Sequence, residues 1–142
     1  MKRLVIMRGI SGSGKSTLAK EIANEDPANL GVVCSTDDYF VEDGVYTFNG
    51  AEIAVAHEWN QTRVQRHMRH DTPIIVVDNT NTMEWEFAPY LVMAEDYGYE
   101  VEVREPATAW AKDAQSCADK TVHGVPLEVI EAQLERFEVL RY

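Results

Sequence analysis

Apolar residues in this chain fall into short continuous runs separated by longer stretches of helical spacing. The first run, Leu4-Val5-Ile6-Met7, passes directly into a glycine-rich turn, and Lys15 to about Glu25 then reads as a helix ended by Asp26-Pro27. A second run, Gly31 to Cys34, leads into Asp37-Asp38, after which Glu42 to Gly50 is polar and glycine-containing, as a loop would be. Helix is expected from Ala51 to His70. Ile74 to Val77, entered from Pro73 and closed by Asp78, is the clearest strand: an unbroken β-branched run of the kind buried on both faces of a parallel sheet. Met83 to Tyr97 is predicted as helix with Gly98 as its stop, and Tyr99 to Arg104 alternates like a strand. A short helix from Thr108 to about Ala118 and a last helix from Pro126 to Tyr142 complete the series. Parallel strands need long crossovers, so this order predicts an α/β fold with helices on both faces of a mainly parallel sheet of four to five strands.

A length of 142 residues with 45% hydrophobic positions is enough for one core, and a single domain over residues 1–142 is expected. Cys34 and Cys117 lack the spacing of a zinc site, a redox pair or a disulfide framework, which points to a reducing, cytoplasmic setting with no disulfide partner. The apolar run near the start is too short for a signal peptide or a membrane span, so no membrane association is expected. With 24 acidic against 13 basic residues the formal charge is −11, which repels polynucleotide phosphates at long range. Any nucleic acid contact must therefore be local.

Gly9-Ile10-Ser11-Gly12-Ser13-Gly14-Lys15-Ser16 matches G-x-x-x-x-G-K-[ST] in full, directly after a predicted strand and before a predicted helix. Its physical sense is a backbone free to wrap an anion. The N–H groups from Gly9 through Thr17, including those of Ser11, Gly12, Ser13 and Gly14, and the positive end of the helix would face nucleotide phosphates. Lys15 adds a point charge at the β and γ phosphates, and the Ser16 hydroxyl suits Mg2+, which takes few protein ligands. No N-K-x-D element is present, so ATP is expected rather than GTP. The motif leaves open whether the γ-phosphate is hydrolysed, transferred or only bound.

A kinase should set a carboxylate opposite this loop to accept the proton of the attacking hydroxyl. Asp37 and Asp38 follow the second apolar run, and ligands in open α/β sheets sit beyond the carboxyl ends of the strands, so both should border the site. One would face the acceptor while the other makes structural hydrogen bonds; a cap or turn is the alternative for the pair. Asp78 ends its strand where an acidic residue would stand near magnesium. Asn79, Thr80 and Asn81 follow as candidate substrate contacts or as an ordinary turn.

These residues resemble the kinase domain of the phage polynucleotide 5′-kinase family. They are still more similar to a small ATPase domain found in animal ubiquitin-ligase-binding proteins and in phage and bacterial homologues. The match runs through Ser35-Thr36-Asp37-Asp38-Tyr39-Phe40, Glu42-Asp43-Gly44, Ala56-His57-Glu58-Trp59-Asn60-Gln61, Asp78-Asn79-Thr80-Asn81, Arg104-Glu105-Pro106 and His123-Gly124-Val125-Pro126, nearly the whole chain. The resemblance implies a three-layer α/β/α P-loop fold with a short helical lid, and Asp37 as the base. It also implies a lid cation over the phosphates. The family's lid carries arginine, whereas Ser116 to His123 offers Lys120 and His123, so Lys120 is the candidate for that role. The phage enzyme has a basic residue where this chain has Phe40, and its fused phosphatase has no counterpart here.

For the acceptor, Arg63, Arg66, His67 and His70 share one face of the Ala51–His70 helix, with Arg69 nearby, and could guide a phosphate backbone, Arg63 being the candidate substrate contact; a solvated face balanced by acids is the alternative. Tyr39, Phe40, Tyr46, Phe48 and Trp59 could stack on a base, though such aromatics are more often core, and His57 reads as a hydrogen-bonded helix residue. Three readings stand: a kinase for the 5′-hydroxyl of DNA or RNA, a kinase for a small acceptor such as a nucleoside or a hydroxymethylated base, and a nucleotide-binding or ATPase module.

Overall fold

The computed structural model describes residues 1–140. Four parallel strands form the main sheet: β1 (Arg3–Met7), β2 (Val32–Cys34), β5 (Ile74–Asp78) and β6 (Glu100–Arg104), in the spatial order β2-β5-β1-β6. β1 and β5 run in register from Arg3 opposite Ile74 to Met7 opposite Asp78, so the glycine-rich loop and Asp78 leave the sheet at the same level. The two central strands show why their apolar runs are continuous. Leu4, Ile6, Ile75 and Val77 point to one face and pack with Val64, Met68, Phe87, Tyr90 and Ala94. Val5, Met7, Ile74 and Val76 point to the other and pack with Ala19, Ile22 and Ala23. The first face is covered by α2 (Ile53–Arg69) and α3 (Glu84–Tyr97), the second by α1 (Lys15–Ala23), which gives three layers.

A third apolar cluster lies at the strand ends. Ile10, from within the glycine-rich loop, is buried with Cys117 and Ile130, so α4 (Ala114–Lys120) and α5 (Leu127–Glu135) rest directly on that loop.

The elements depart from the sequence expectation in four places. Glu42 to Gly50 is not all loop: β3 (Val41–Glu42) and β4 (Val45–Tyr46) pair antiparallel around Asp43 (φ 51) and Gly44 (φ 78), a two-residue turn with both central residues left-handed. α2 is preceded by a 3-10 turn over Gly50–Glu52, whose cap is the Asn49 side chain. The helix expected from Thr108 starts only at Ala114, because Asp113 caps it by accepting from Ser116 N, while Thr108 and Trp110 are held by the glycine-rich loop. The last helix stops at Glu135. Its continuation is diverted because Glu138 N donates to the Thr82 carbonyl and Arg8 donates to the Glu138 carbonyl. The final two positions of the predicted helix, 141 and 142, lie outside the described residues.

Both cysteines are free and buried, and no helix among the described residues is long and apolar enough to cross a membrane.

Candidate functional site: a phosphate cleft facing an aspartate turn

Gly14 caps α1 in the left-handed region (φ 97) and supplies no side chain to the helix end, so the first-turn N–H groups open into the space beyond the loop. Lys15 and Ser16 both converge on Asp78. The Ser16 hydroxyl donates to Asp78 Oδ2 at 2.7 Å, and Lys15 Nζ lies 3.4 Å from Oδ1. Asp78 is only 6% exposed, and its Oδ1 has no hydrogen-bond partner beyond that ionic contact. A buried carboxylate oxygen left short of a partner, with the Ser16 hydroxyl oxygen bonded to the same carboxylate, suits a hard divalent cation or one of its waters, so these residues fit magnesium.

Opposite this group stands a 3-10 turn, Thr36–Phe40, that carries both aspartates. Three contacts hold it. Ser35 Oγ accepts from Asp37 N at 3.2 Å, Asn79 Oδ1 accepts from Thr36 N at 2.9 Å, and the Thr36 hydroxyl shares a 3.3 Å hydrogen bond with His57 Nδ1. Asp38 is tied sideways to Arg63 (3.0 Å), which also donates to the Ser35 carbonyl and to Asn60 Oδ1. Among the described residues Asp37 makes no such bond through its carboxylate, and it faces the cleft. It keeps solvent contact in the open cleft, yet the walls strip enough water that desolvation raises its carboxyl above the ordinary value. His123 and Lys15 pull it down, and Asp78 and Asp38 push it up.

The roof of the cleft is built on the loop itself. Trp110 Nε1 donates to the Gly12 carbonyl at 3.1 Å and Thr108 Oγ1 to the Ser13 carbonyl at 2.7 Å. From α5, Gln133 Oε1 accepts from Ser11 N while its Nε2 donates to Ser11 Oγ. Lys120 Nζ sits 4.7 Å over the Trp110 ring, and His123 stacks on Tyr46 of the hairpin, centroids 3.8 Å apart. The loop and the roof thus meet without slack. A Cβ added at Gly12, where φ is +79, would lie 2.1 Å from the Cys117 carbonyl oxygen. Gly12→Ala should therefore lift α4 from the loop and raise the KM for ATP about tenfold, in line with roughly 1–3 kcal/mol of local strain. Steady-state ATP turnover against nucleotide concentration checks this.

Of the residues singled out from the sequence, Ser11, Gly12, Gly14, Lys15, Ser16, Thr17, Asp37, Asp38, Asp78 and Lys120 line one cleft of about 590 Å³. Gly9 and Ser13 shape the loop from behind: Gly9 N donates to the Thr80 carbonyl, and Ser13 is buried. Arg63, Asn79 and Thr80 stand one layer back. Arg63 acts on Asp38, and Asn79 on the aspartate turn. On the basic face of α2, His67 bonds to Thr72 and burial with the charges of Arg63 and Arg66 lowers its pKa, while Arg66 and His70 are exposed. The expectation that most of the five aromatics are core is corrected. Phe40 is buried (5% exposed), but Phe48 (55%) and Trp59 (37%) are open to solvent, and Tyr39 and Tyr46 are half-buried. Tyr39 and Tyr46 pack edge to face on Phe40, Phe48 packs on it tilted, and Trp59 packs on Tyr39.

Gln133, Thr108, Trp110 and Arg8 were missed. Arg8 is fully buried, and it donates to the carbonyls of Asn81, Thr82 and Glu138, pinning the loop after Asp78 to the segment after α5. An arginine closing an apolar run was a readable signal; nothing in the spacing marked the other three.

The family model described as an AAA domain, AAA_33, matches residues 4–140. The chain belongs to this family. It is 40% identical over 135 residues to human NEDD4-binding protein 2, a match covering 95% of this chain and 8% of that protein. The chain thus spans less than a tenth of that relative. A chain in the Pnkp1/Rnl/Hen1 RNA repair complex superposes with a TM-score of 0.71 at 16% identity, covering 96% of this chain and 44% of that one. Mycobacterium tuberculosis APS kinase CysC in complex with AMPPNP and APS gives 0.54 at 20%, covering 83% and 67%. The family model places the chain among AAA domains, and the superpositions show that it shares the fold of these solved proteins.

Proposed function

We propose that the chain transfers the γ-phosphate of ATP to the 5′-hydroxyl of a DNA or RNA end. The observation that carries this is the pair of faces on one cleft: Lys15, Ser16 and Asp78 on one side, the unbonded carboxylate of Asp37 on the other. ATP would lie with its phosphates against the loop N–H groups and Lys15, and its base toward the adjoining, more apolar pocket of Gly14, Thr17, Pro106 and Trp110. Ser16 and Asp78 would hold magnesium, which would supply charge neutralisation at the nucleotide phosphates. Asp37 accepts the proton of the acceptor hydroxyl as its oxygen bonds to the γ-phosphorus and the bond to the β-phosphate oxygen breaks, releasing ADP. A carboxyl raised above its ordinary value is the better base at neutral pH. Lys120 is the roof cation available to the equatorial oxygens, with His123 lining the cleft beside it, and it stands where the family's lid has arginine.

A small acceptor is the second reading. It is favoured by the charge of −11 and by the engagement of Arg63 with Asp38. The discriminating experiment is transfer from γ-labelled ATP with magnesium to 5′-hydroxyl oligonucleotides, nucleosides and hydroxymethylated bases. Label on oligonucleotide ends is the expected result; label only on a small molecule selects the second reading, and free phosphate alone overturns both. The physiological setting proposed for this activity is cytoplasmic.

A further inference from the structure

The acceptor side of the cleft poses an electrostatic problem. It presents Asp37 and Asp38, on a chain of net charge −11, and the arginine that reaches it has its donors on Asp38, Ser35 and Asn60. Phosphate contacts are poorly placed to hold a polynucleotide there. What the same surface does offer is aromatic area. Phe40, on the aspartate turn, is a buried hub with Tyr39 (centroids 5.2 Å apart) and Phe48 (5.0 Å) packed against it, and Tyr39 in turn meets Trp59 at 5.7 Å. Arg63 lies 4.5 Å over the Trp59 ring while bonding Asp38, so the indole is two short contacts from the cleft. The rings meet edge to face or tilted, at 56–87°, and Phe48 and Trp59 keep 55% and 37% of their surface open to solvent.

Resting on the kinase reading above, we infer that Trp59 and Phe48, fixed through Tyr39 and Phe40, form a stacking platform for the unpaired bases at the acceptor's 5′ end, and that stacking rather than phosphate contact carries acceptor binding. Every base has a π face, so such a platform tolerates sequence, and it works on an acidic protein whose acceptor side carries two aspartates. It also selects for single-stranded or frayed ends, since bases paired in a duplex offer no free face.

The test uses 5′-hydroxyl oligodeoxynucleotides that are identical except for a base or an abasic residue at the 5′-terminal positions. Loss of the base should raise the acceptor KM about tenfold. Trp59→Ala should do the same for the natural oligonucleotide and add nothing for the abasic one, and Trp59→Phe should restore most of the loss. The logarithm of the KM should change little with salt, whereas several phosphate contacts would make it climb steeply. Equal KM for natural and abasic ends, or an equal Trp59→Ala effect on both, overturns the platform while leaving the kinase reading intact. If no oligonucleotide is phosphorylated, the kinase reading fails by itself. Fluorescence anisotropy of a labelled single strand then tests the platform, with binding unchanged in Trp59→Ala as the overturning result.

Discussion

Asp37→Ala is expected to slow phosphate transfer by about 10²–10⁴-fold, the usual loss of a general base, while ATP affinity stays within a few fold. The separation of effects follows from the geometry. Asp37 sits on the turn opposite the loop, held through backbone contacts to Ser35 and Asn79, and its carboxylate bonds to none of the phosphate-side residues. Single-turnover transfer and equilibrium nucleotide binding, measured on the same preparation, check both halves. Transfer at the parental rate would remove Asp37 from the base role. The wild-type rate should fall on the acid side as Asp37 protonates, with this limb displaced upward from the ordinary carboxylate range because desolvation disfavours the charged form. The variant should lack that limb.

The same shift makes a stability prediction of definite sign. A carboxyl raised in the folded state binds its proton more tightly there than in the unfolded chain. Its stabilising contribution is therefore present below the unfolded value, about 4, and is lost as pH rises through the raised one. Asp37→Asn, which cannot ionise, should melt higher than the parent at neutral pH, and the difference should shrink as pH falls toward that of the unfolded carboxyl. On the proposed base role, activity and stability are opposed at this residue.

Much of this arrangement is readable from residue order, because each phosphate-side feature is local. Gly12 to Ser16 form one contiguous stretch, and Asp78 closes the most β-branched run in the chain, which puts it beside the loop once β1 and β5 pair. The hairpin at Val41–Tyr46 was legible too: Asp43-Gly44 is a turn dipeptide for a two-residue connection, and it lay in a stretch read only for polarity. The roof was not legible. Gln133 is 122 residues from Ser11, and Trp110 reaches Gly12 across 98, so their roles depend on how α4 and α5 settle on Ile10. The exposure of Phe48 and Trp59 was equally hidden. A sequence shows that aromatics cluster but not that one buried hub, Phe40, leaves the others outside.

Lys15→Met is expected to reduce ATP turnover by at least about a hundredfold, as befits loss of a charge aimed at the transferring phosphate. The consequence for Asp78 makes the variant more informative than a simple loss. In the parent, Asp78 is 6% exposed and Lys15 13%, and the ammonium 3.4 Å away offsets the carboxylate's charge. Removing one partner of a buried pair costs about 3–5 kcal/mol when nothing replaces it. Here the Ser16 hydroxyl still donates and the cleft is open to water, so a loss on the order of 1–2 kcal/mol is expected. A divalent cation at Ser16 and Asp78 would return the missing charge. Magnesium added without nucleotide should therefore raise the melting temperature of Lys15→Met more than that of the parent, where ammonium and metal compete for the same oxygen. Thermal melts of both proteins across a magnesium titration read this directly, with no turnover needed. Equal shifts would mean that magnesium alone does not neutralise Asp78. A variant that kept parental turnover would mean that Lys15 serves Asp78 and not the phosphates.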